Sequence, residues 1–590
     1  MKSFTASLLG SCLGVIVSFA LFFVIIIIIA VSGSESSGPS LGKNTVLHLN
    51  LNDFIPEQTD NAIQELSFME ELPDNIGLAR VCELIEHAGK DSKIKGIILE
   101  NSNVSVGQAS LLTLMESLQK FKENKKFIYS YADSHSQSSY MLCTVADSMY
   151  LNPYGNVDVR GFGTMIPFVK NMLDKIGVKM NVFYAGDFKS ATEPFRLTEM
   201  SEANKLQTRE FLSDMRSIFV DMVSKNRSIT PEKLDSVIAN FEGRTAKKAL
   251  QHKLVDVLAY KEEFYDAMKI KTGTETDKKI KTISLADYHM VTSIDKPESD
   301  NKIAVVFLEG EIGYGTDEPG TISDKRYAET LEKIKNDKKI KAVVLRINSP
   351  GGSAFSSEII WKGIEDIKAS GKKVVASFGD VAASGGYYIA AGADKILAQP
   401  NTLTGSIGVF SILPDATSLA NDKLGINFDS VKTDPLAVGF TPFMNLSERE
   451  REVLQESTLE IYDLFLTRVS TGRKLSMDST KIIAQGRVWT GRKAKEIGLV
   501  DELGDLDYAI AAAAKLAKID SYEVNEYPEL KPDFLTEVIK GIQRNQEIGV
   551  YGLLKTPEEK KLYEQIRQMR AILNPKQVQA RLPYVIDFNR

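Results

Sequence analysis

Residues 337–345 read DKKIKAVVL and residues 91–99 read DSKIKGIIL, so nearly the same nine letters occur twice in this chain. The two stretches lie 246 positions apart. Two further pairs of segments keep almost the same spacing: 146–153 with 393–400, and 245–256 (TAKKALQHKLVD) with 490–501 (TGRKAKEIGLVD). A nearly constant spacing over so long a stretch indicates a tandem duplication of one domain.

Each copy alternates short β-branched runs with amphipathic stretches. In the second copy the predicted strands are KIAVVFLEG (302–310), KAVVLRINS (341–349), KKVVASFG (372–379) and KILAQ (395–399). A helical pattern, SSEIIWKGIEDIKASG, lies between the second and third of them. Strands that alternate with helices predict an α/β fold with a largely parallel sheet. A long helix is predicted to begin at Ser447, where Glu450 completes a capping box, and Ser201 opens its match in the first copy.

The chain divides into five predicted parts. These are an N-terminal membrane anchor (1–40), the first repeat (41–270), a polar, lysine-rich linker (271–300), the second repeat (301–520) and C-terminal tail helices (521–590). We expect the tail helices to pack between subunits.

Residues 7–31 form an uncharged apolar stretch of about 25 residues, enough to cross a bilayer core of ~30 Å. The competing interpretation is a cleaved signal peptide, whose apolar region is usually only ~7–15 residues long. Lys2 precedes the stretch and Glu35 follows it, a charge bias that places the N-terminus in the cytoplasm. The rest of the chain is then predicted on the far side of the membrane.

Composition excludes several classes of function. The formal net charge is only −6, without the clustered basic face that nucleic-acid binding requires. Cys12 lies in the apolar stretch, which leaves Cys82 and Cys143 as a single possible pair. With no CxxC motif or Cys/His cluster, we predict buried free thiols, and neither a disulfide framework nor a metal site.

Three glycine-bearing segments mark the second copy: NSPGGS (348–353), AASGGY (382–387) and TGSIG (404–408). Ser384 falls between a predicted strand and an apolar helical run, a turn that exposes a nucleophilic hydroxyl. Nearby backbone N–H groups, freed by Gly351 and Gly352, can stabilise a developing oxyanion. At this place the first copy has Gln137 followed by two serines. Since the fold survives there without these glycines, the second copy keeps them for chemistry.

A nucleophilic serine needs a base. None of the five histidines lies in the copy that contains Ser384, and His135 is the least implausible among them. The better candidate is Lys189, in YAGDFKSATEPF (184–195), where one lysine stands among small and aromatic residues. Its match in the second copy is Leu436. A lysine near pKa 10.4 is neutral at pH 7 only about 0.04% of the time, so burial must lower its pKa.

The segments FKSATEPF, NSPGGS, AASGGYY and TLTGSIGV give the chain a specific resemblance to the signal peptide peptidase A (protease IV) family, in its long two-repeat membrane-bound form. The resemblance implies a ClpP/crotonase-like fold for each repeat and a homotetramer. It implies a Ser384–Lys189 dyad, with Ser406 positioning the lysine. Gly385 and one of Gly351 and Gly352 would supply the oxyanion N–H groups.

The same resemblance implies hydrophobic peptide substrates, chiefly cleaved signal peptides, and no cofactor or metal. It implies a single-pass protein of the bacterial inner membrane, held in lipid by its N-terminal helix, with the catalytic bulk on the periplasmic side. Two other functions are compatible with parts of this pattern. A crotonase-type acyl-CoA enzyme shares an oxyanion loop but commonly relies on acidic residues near the thioester. A non-catalytic membrane scaffold of the same fold would leave Ser384 unlabelled by a fluorophosphonate.

Overall fold

A computed structural model describes residues 41–52, 55–59, 76–294, 297–315, 320–529 and 579–581. The strands run in chain order as follows: β1 Thr45–Leu49, β2 Ile94–Glu100, β3 Phe127–Ala132, β4 Ser148–Leu151, β5 Lys179–Ala185, β6 Val257–Leu258, β7 Thr282–Ser284, β8 Lys302–Glu309, β9 Glu311–Gly313, β10 Thr321–Ser323, β11 Ile340–Ser349, β12 Gly351–Ser353, β13 Lys373–Ala383, β14 Lys395–Ala398, β15 Leu403–Gly405, β16 Val409–Asp415, β17 Val488–Thr490, β18 Glu502–Leu503, β19 Glu523–Tyr527 and β20 Gln579–Arg581.

The α-helices of the described chain are α1 Leu78–Lys90, α2 Gln108–Glu123, α3 Gln137–Cys143, α4 Lys170–Ile176, α5 Glu193–Arg196, α6 Glu202–Arg227, α7 Pro231–Ala239, α8 Ala246–Gln251, α9 Lys261–Thr272, α10 Leu285–Val291, α11 Asp324–Asn336, α12 Ala354–Ala369, α13 Gly385–Ala390, α14 Glu448–Arg473, α15 Met477–Ile483, α16 Gly491–Glu496 and α17 Leu506–Ala517. A short 3₁₀ turn, Ser190–Thr192, and a π turn, Leu419–Lys423, complete them.

The two halves of the chain form two sheets of the same topology. The first has the order β6-β4-β3-β2-β1-β7, and the second contains the matching series β18-β14-β13-β11-β8-β19. All the strand pairs in these two series are parallel. The predicted duplication and parallel α/β architecture are therefore confirmed. Each half encloses its own apolar core.

The four strands predicted in the second copy are all present, as β8, β11, β13 and β14. Their apolar residues are buried on both faces, as expected of parallel strands covered by helices. The capping box also forms, because the Ser447 hydroxyl accepts from the Glu450 N–H and the Glu450 carboxylate accepts from the Ser447 N–H. Ser201 caps α6 in the same position of the first copy.

The predicted linker and tail both contribute to the sheets. β7 and α10 lie within residues 271–300, and β7 pairs with β1. Where tail helices were expected, Glu523–Tyr527 forms a strand at the edge of the second sheet, against β8. The predicted membrane anchor (1–40) lies outside the described residues, as does most of the tail. Among the residues described, no helix is both long and apolar enough to span a bilayer.

A third sheet joins the two halves, in the order β10-β9-β12-β20-β16-β5. Its β5 belongs to the first half and pairs antiparallel with β16 of the second over seven residues, from Val409 opposite Ala185 to Asp415 opposite Lys179. β20, near the C-terminus, pairs antiparallel with β12. Because β5 pairs with β16, the residues that follow β5 lie against the second half of the chain.

Buried polar contacts fix how the halves meet. Arg346 Nε lies 2.8 Å from Glu57 Oε2, with both side chains almost fully buried. Asp380 accepts hydrogen bonds from the N–H groups of Ala109 and Ser110 at the start of α2, at 2.8 and 3.0 Å. Buried ionic groups are tolerated only when paired in this way, so these contacts allow few other arrangements of the halves.

Candidate active site

Ser384 lies on the strand-to-helix turn that the sequence predicted. β13 ends at Ala383 and α13 begins at Gly385, with Ser384 between them at φ 56°. This left-handed conformation is uncommon for a residue with a Cβ, and such strain clusters at functional sites. The Ser384 N–H donates to the carbonyl of Gly405 at 2.8 Å, which holds the turn in place. The side chain is buried.

Lys189 reaches this serine from the other half of the same chain. It follows β5, and the Phe188 N–H donates to the carbonyl of Gln485 in the second half at 2.8 Å. The lysine side chain is only 1% exposed. Its Nζ lies 2.8 Å from Ser384 Oγ. Two residues 195 positions apart in sequence are therefore within hydrogen-bonding distance.

Ser406 holds the lysine on its other side. Lys189 Nζ lies 3.0 Å from Ser406 Oγ and 3.0 Å from the Ser406 carbonyl oxygen. Ser406 is itself left-handed, at φ 50°, and its N–H donates to the carbonyl of Arg487 at 2.7 Å. The two serines that contact Nζ are thus both held in uncommon backbone conformations.

Burial lowers the pKa of Lys189 well below its ordinary value of 10.5, because an ammonium ion loses its hydration there. Burial is the sole cause of this shift among the described residues, and no nearby carboxylate offsets it. An amine in such surroundings stays neutral at a pH where an exposed lysine is charged. A neutral amine can accept a proton.

The glycines expected at an oxyanion hole lie on two adjoining elements. Gly385 is the first residue of α13, while Gly351 and Gly352 form part of β12, which contacts α13. The Gly351 N–H already donates to Ser349 Oγ at 3.2 Å. At Gly352 a Cβ would stand 2.1 Å from the carbonyl oxygen of Ile312, so only glycine fits.

Two residues that support Lys189, Gln207 and Gly486, were not predicted from the sequence. Gln207, on α6, donates through Nε2 to the Phe188 carbonyl at 3.1 Å and to Ser190 Oγ at 3.0 Å. Its Oε1 accepts from the Val488 N–H of the second half at 3.2 Å. Gly486, at φ 73°, lies so close that a Cβ would stand 2.6 Å from Lys189 Cβ. A difference between the two copies could have identified Gln207. The equivalent position of the other long helix, α14, is the apolar residue Val453, and each of the two residues lies six positions after the N-cap of its helix.

His135, the alternative base, lies in the first half. Its Nδ1 is 2.8 Å from Ser139 Oγ, and burial lowers its pKa to about 4. The hydrogen-bonding partner of Ser384 is Lys189 instead. Cys82 and Cys143 are buried free thiols, as predicted, and Cys12 lies outside the described residues.

Two protein-family models match parts of this chain. The model of peptidase family S49 matches residues 120–275 and 366–520, one match in each repeat. The Clp protease family model matches residues 299–404, which supports a ClpP-like fold for the second repeat.

Among curated relatives, Protease 4 of Salmonella typhi is 37% identical over 76% of this chain and 73% of its own length. Protease 4 of Haemophilus influenzae is 34% identical over 85% of this chain and 83% of its own length. The chloroplastic serine protease SPPA of Arabidopsis thaliana is 29% identical over 87% of this chain and 75% of its own length. The similarity to these proteases spans both repeats.

Proposed function

The chain belongs to peptidase family S49 and is a serine protease, and we propose that Ser384 is its nucleophile and Lys189 its general base. The observation that carries this assignment is the 2.8 Å distance from Lys189 Nζ to Ser384 Oγ, with both side chains buried. Family membership also removes the support for an acyl-CoA enzyme and for a non-catalytic scaffold.

The proposed mechanism begins with a neutral lysine. A neutral amine has two N–H bonds and one lone pair. The two hydrogens can be donated to Ser406 Oγ and the Ser406 carbonyl, each 3.0 Å from Nζ. The lone pair then faces the Ser384 hydroxyl, which donates its proton to Nζ. Ser406 thus orients the base while leaving its lone pair free for the nucleophile.

Acyl transfer follows from this arrangement. As Ser384 Oγ attacks a peptide carbonyl, its proton passes to Lys189, and the resulting ammonium protonates the leaving amine. Water then hydrolyses the acyl-enzyme, with the neutral lysine again accepting a proton. We propose the N–H groups of Gly385 and of the Gly351–Gly352 pair as the oxyanion donors. Because Ser349 already occupies the Gly351 N–H, Gly352 is the better candidate of that pair.

We further propose that the substrates are hydrophobic peptides, chiefly cleaved signal peptides. An N-terminal anchor suits such substrates, and the uncharged stretch at residues 7–31 supports it. On this proposal the protein is a homotetramer of the bacterial inner membrane, with a cytoplasmic N-terminus and the catalytic bulk in the periplasm.

The test is hydrolysis of a hydrophobic peptide ester by the wild type and by Ser384→Ala and Lys189→Met. The methionine keeps the length and apolar stem of the lysine but offers no basic nitrogen. We expect both substitutions to abolish turnover while far-UV circular dichroism and oligomer mass stay unchanged. An active Lys189→Met variant would remove the base assignment.

A further inference from the structure

The third sheet has room for one strand beside the dyad, between β12 and β16. β20 lies there and pairs antiparallel with both neighbours. β12 carries the glycine pair proposed for the oxyanion hole. β16 begins at Val409, shortly after Ser406, which contacts Lys189 Nζ. A peptide that presents its carbonyl to Ser384 therefore runs between these two strands, in the place of β20, and pairs with them through its backbone.

The register of β20 gives the direction of such a peptide. Arg581 lies opposite Gly351, and the residues before Arg581 lie opposite later residues of β12. With Gly352 as an oxyanion donor, the carbonyl under attack belongs to the peptide residue opposite Gly352. The preceding residues then pass Ser353 and approach Phe355. Counting the attacked residue as the first, the fourth residue back from the cleaved bond arrives beside Phe355.

Two aromatic rings lie where that fourth residue arrives. Tyr314 directly follows β9, and Phe355 is the second residue of α12, which directly follows β12. Because β9 and β12 are parallel neighbours, both rings lie at the same end of the sheet. Their centroids are 5.3 Å apart at an interplanar angle of 75°, and the two residues are 53% and 55% exposed. The rings thus present apolar surface to a ligand at this end of the sheet.

Backbone contacts fix the positions of both aromatic residues. The N–H of Gly315, next to Tyr314, donates to Asp324 Oδ1 at 3.1 Å. The Ser353 hydroxyl caps the first turn of α12, which carries Phe355. A binding surface on fixed backbone loses little conformational entropy when a ligand binds.

The first repeat lacks this aromatic surface. Its match for Phe355, 247 residues earlier, is Gln108, which is buried and donates to Ser138 Oγ at 3.2 Å. The first repeat also lacks a serine at the place of Ser384. At this position an exposed aromatic ring therefore occurs only in the repeat that carries the nucleophile, as expected of a group that contacts substrate.

We propose that Tyr314 and Phe355 form a specificity subsite, which binds an apolar side chain at the fourth residue back from the cleaved bond. This proposal deepens the proposed function and rests on it, since it names a feature of hydrophobic peptides that the enzyme recognises. An apolar side chain bound against the two rings removes apolar area on both sides from water. Peptides with an aromatic residue at this place should therefore react faster than peptides with glycine there.

Three peptide esters test the subsite on the full-length protein in detergent. Two tetrapeptide esters share the three residues next to the ester and begin with phenylalanine or glycine, and a tripeptide ester lacks that first residue. We expect the wild type to prefer the phenylalanine peptide about tenfold in kcat/KM. In the double variant Tyr314→Ala with Phe355→Ala this preference should disappear. Its kcat/KM for the tripeptide ester should stay at the wild-type value, because that substrate does not reach the rings.

Tyr154→Ala is the matched control, because it removes a ring that is 90% exposed and lies in the first repeat. It should keep the wild-type preference. Equal kcat/KM for the two tetrapeptide esters in the wild type, or an unchanged preference in the double variant, overturns the subsite. A lower oligomer mass in light scattering together with an unchanged preference would assign the rings to a contact between copies instead. Failure of the wild type to hydrolyse the tripeptide ester would contradict the proposed function itself.

Discussion

Replacing Gly486 with alanine should disable the enzyme by moving its base. The added methyl would stand 2.6 Å from Lys189 Cβ, 2.7 Å from its backbone nitrogen and 2.8 Å from its Cα. Carbon atoms in ordinary contact are ~3.5–4.0 Å apart, so the lysine must retreat by roughly 1 Å. That movement takes Nζ from 2.8 Å to beyond hydrogen-bonding distance of Ser384 Oγ. A displacement of about 1 Å at a catalytic group can cost ~100-fold in rate.

The assay is kcat for a hydrophobic peptide ester, and the matched control is Gly273→Ala. Gly273 has nearly the same φ, 70° against 73°, but a methyl there would meet open space. Both variants carry the cost of a left-handed alanine, ~1–2 kcal/mol of stability. Only Gly486→Ala adds the clash, ~1–3 kcal/mol more. A kcat for Gly486→Ala equal to that of Gly273→Ala would refute the claim that close packing positions the base.

Three more predictions concern the residues around this base. Ser406→Ala removes one of two acceptors that orient Nζ, so kcat for the peptide ester should fall about tenfold with KM nearly unchanged, as for one lost hydrogen bond. Gln207→Ala leaves the Phe188 carbonyl without its donor, so unfolding in urea should show stability lower by ~1–3 kcal/mol, and kcat should fall too. Glu57→Ala leaves the buried Arg346 without its charged partner, so thermal unfolding should show that the stability of the protein falls by ~3–5 kcal/mol.

Each of these has a contradicting result. A large rise in KM for Ser406→Ala would place that hydroxyl in substrate binding instead of base positioning. If Gln207→Met, which fills the same space but makes no hydrogen bond, kept the wild-type kcat, then Gln207 would act by packing alone and its hydrogen bonds would not be needed. An unchanged melting temperature for Glu57→Ala would mean that Arg346 finds solvent or another partner.

The strands of the sheets could be predicted because parallel strands are buried on both faces and so read as apolar runs. β7 and β19 were not predicted, since both are short edge strands with polar residues, such as the EVNEY of β19. An edge strand has one neighbour and a partly exposed face, so its sequence carries no apolar run.

Comparison of the two copies pointed to Ser384 and Lys189 because each occurs in one copy only. The same comparison cannot detect residues that both copies keep. Gly486 is one of these: Gly243 occupies the matching place before an arginine, and a Cβ there would also clash, at 2.2 Å from the Val157 carbonyl oxygen. The second role of Gly486 is its close packing against Lys189. That role depends on a contact between the two repeats, so only the three-dimensional structure reveals it.

The central claim is tested most directly by the rate at which a fluorophosphonate labels Ser384, followed by mass spectrometry across pH. Lys189 must be neutral to accept the proton, so the labelling rate should rise with pH to a plateau. The midpoint of that rise should lie well below 10.5, the ordinary pKa of lysine. In Lys189→Met the labelling should be slow and should lack that midpoint. Labelling of Lys189→Met at the wild-type rate, or a wild-type midpoint near 10.5, would contradict a buried neutral lysine as the base.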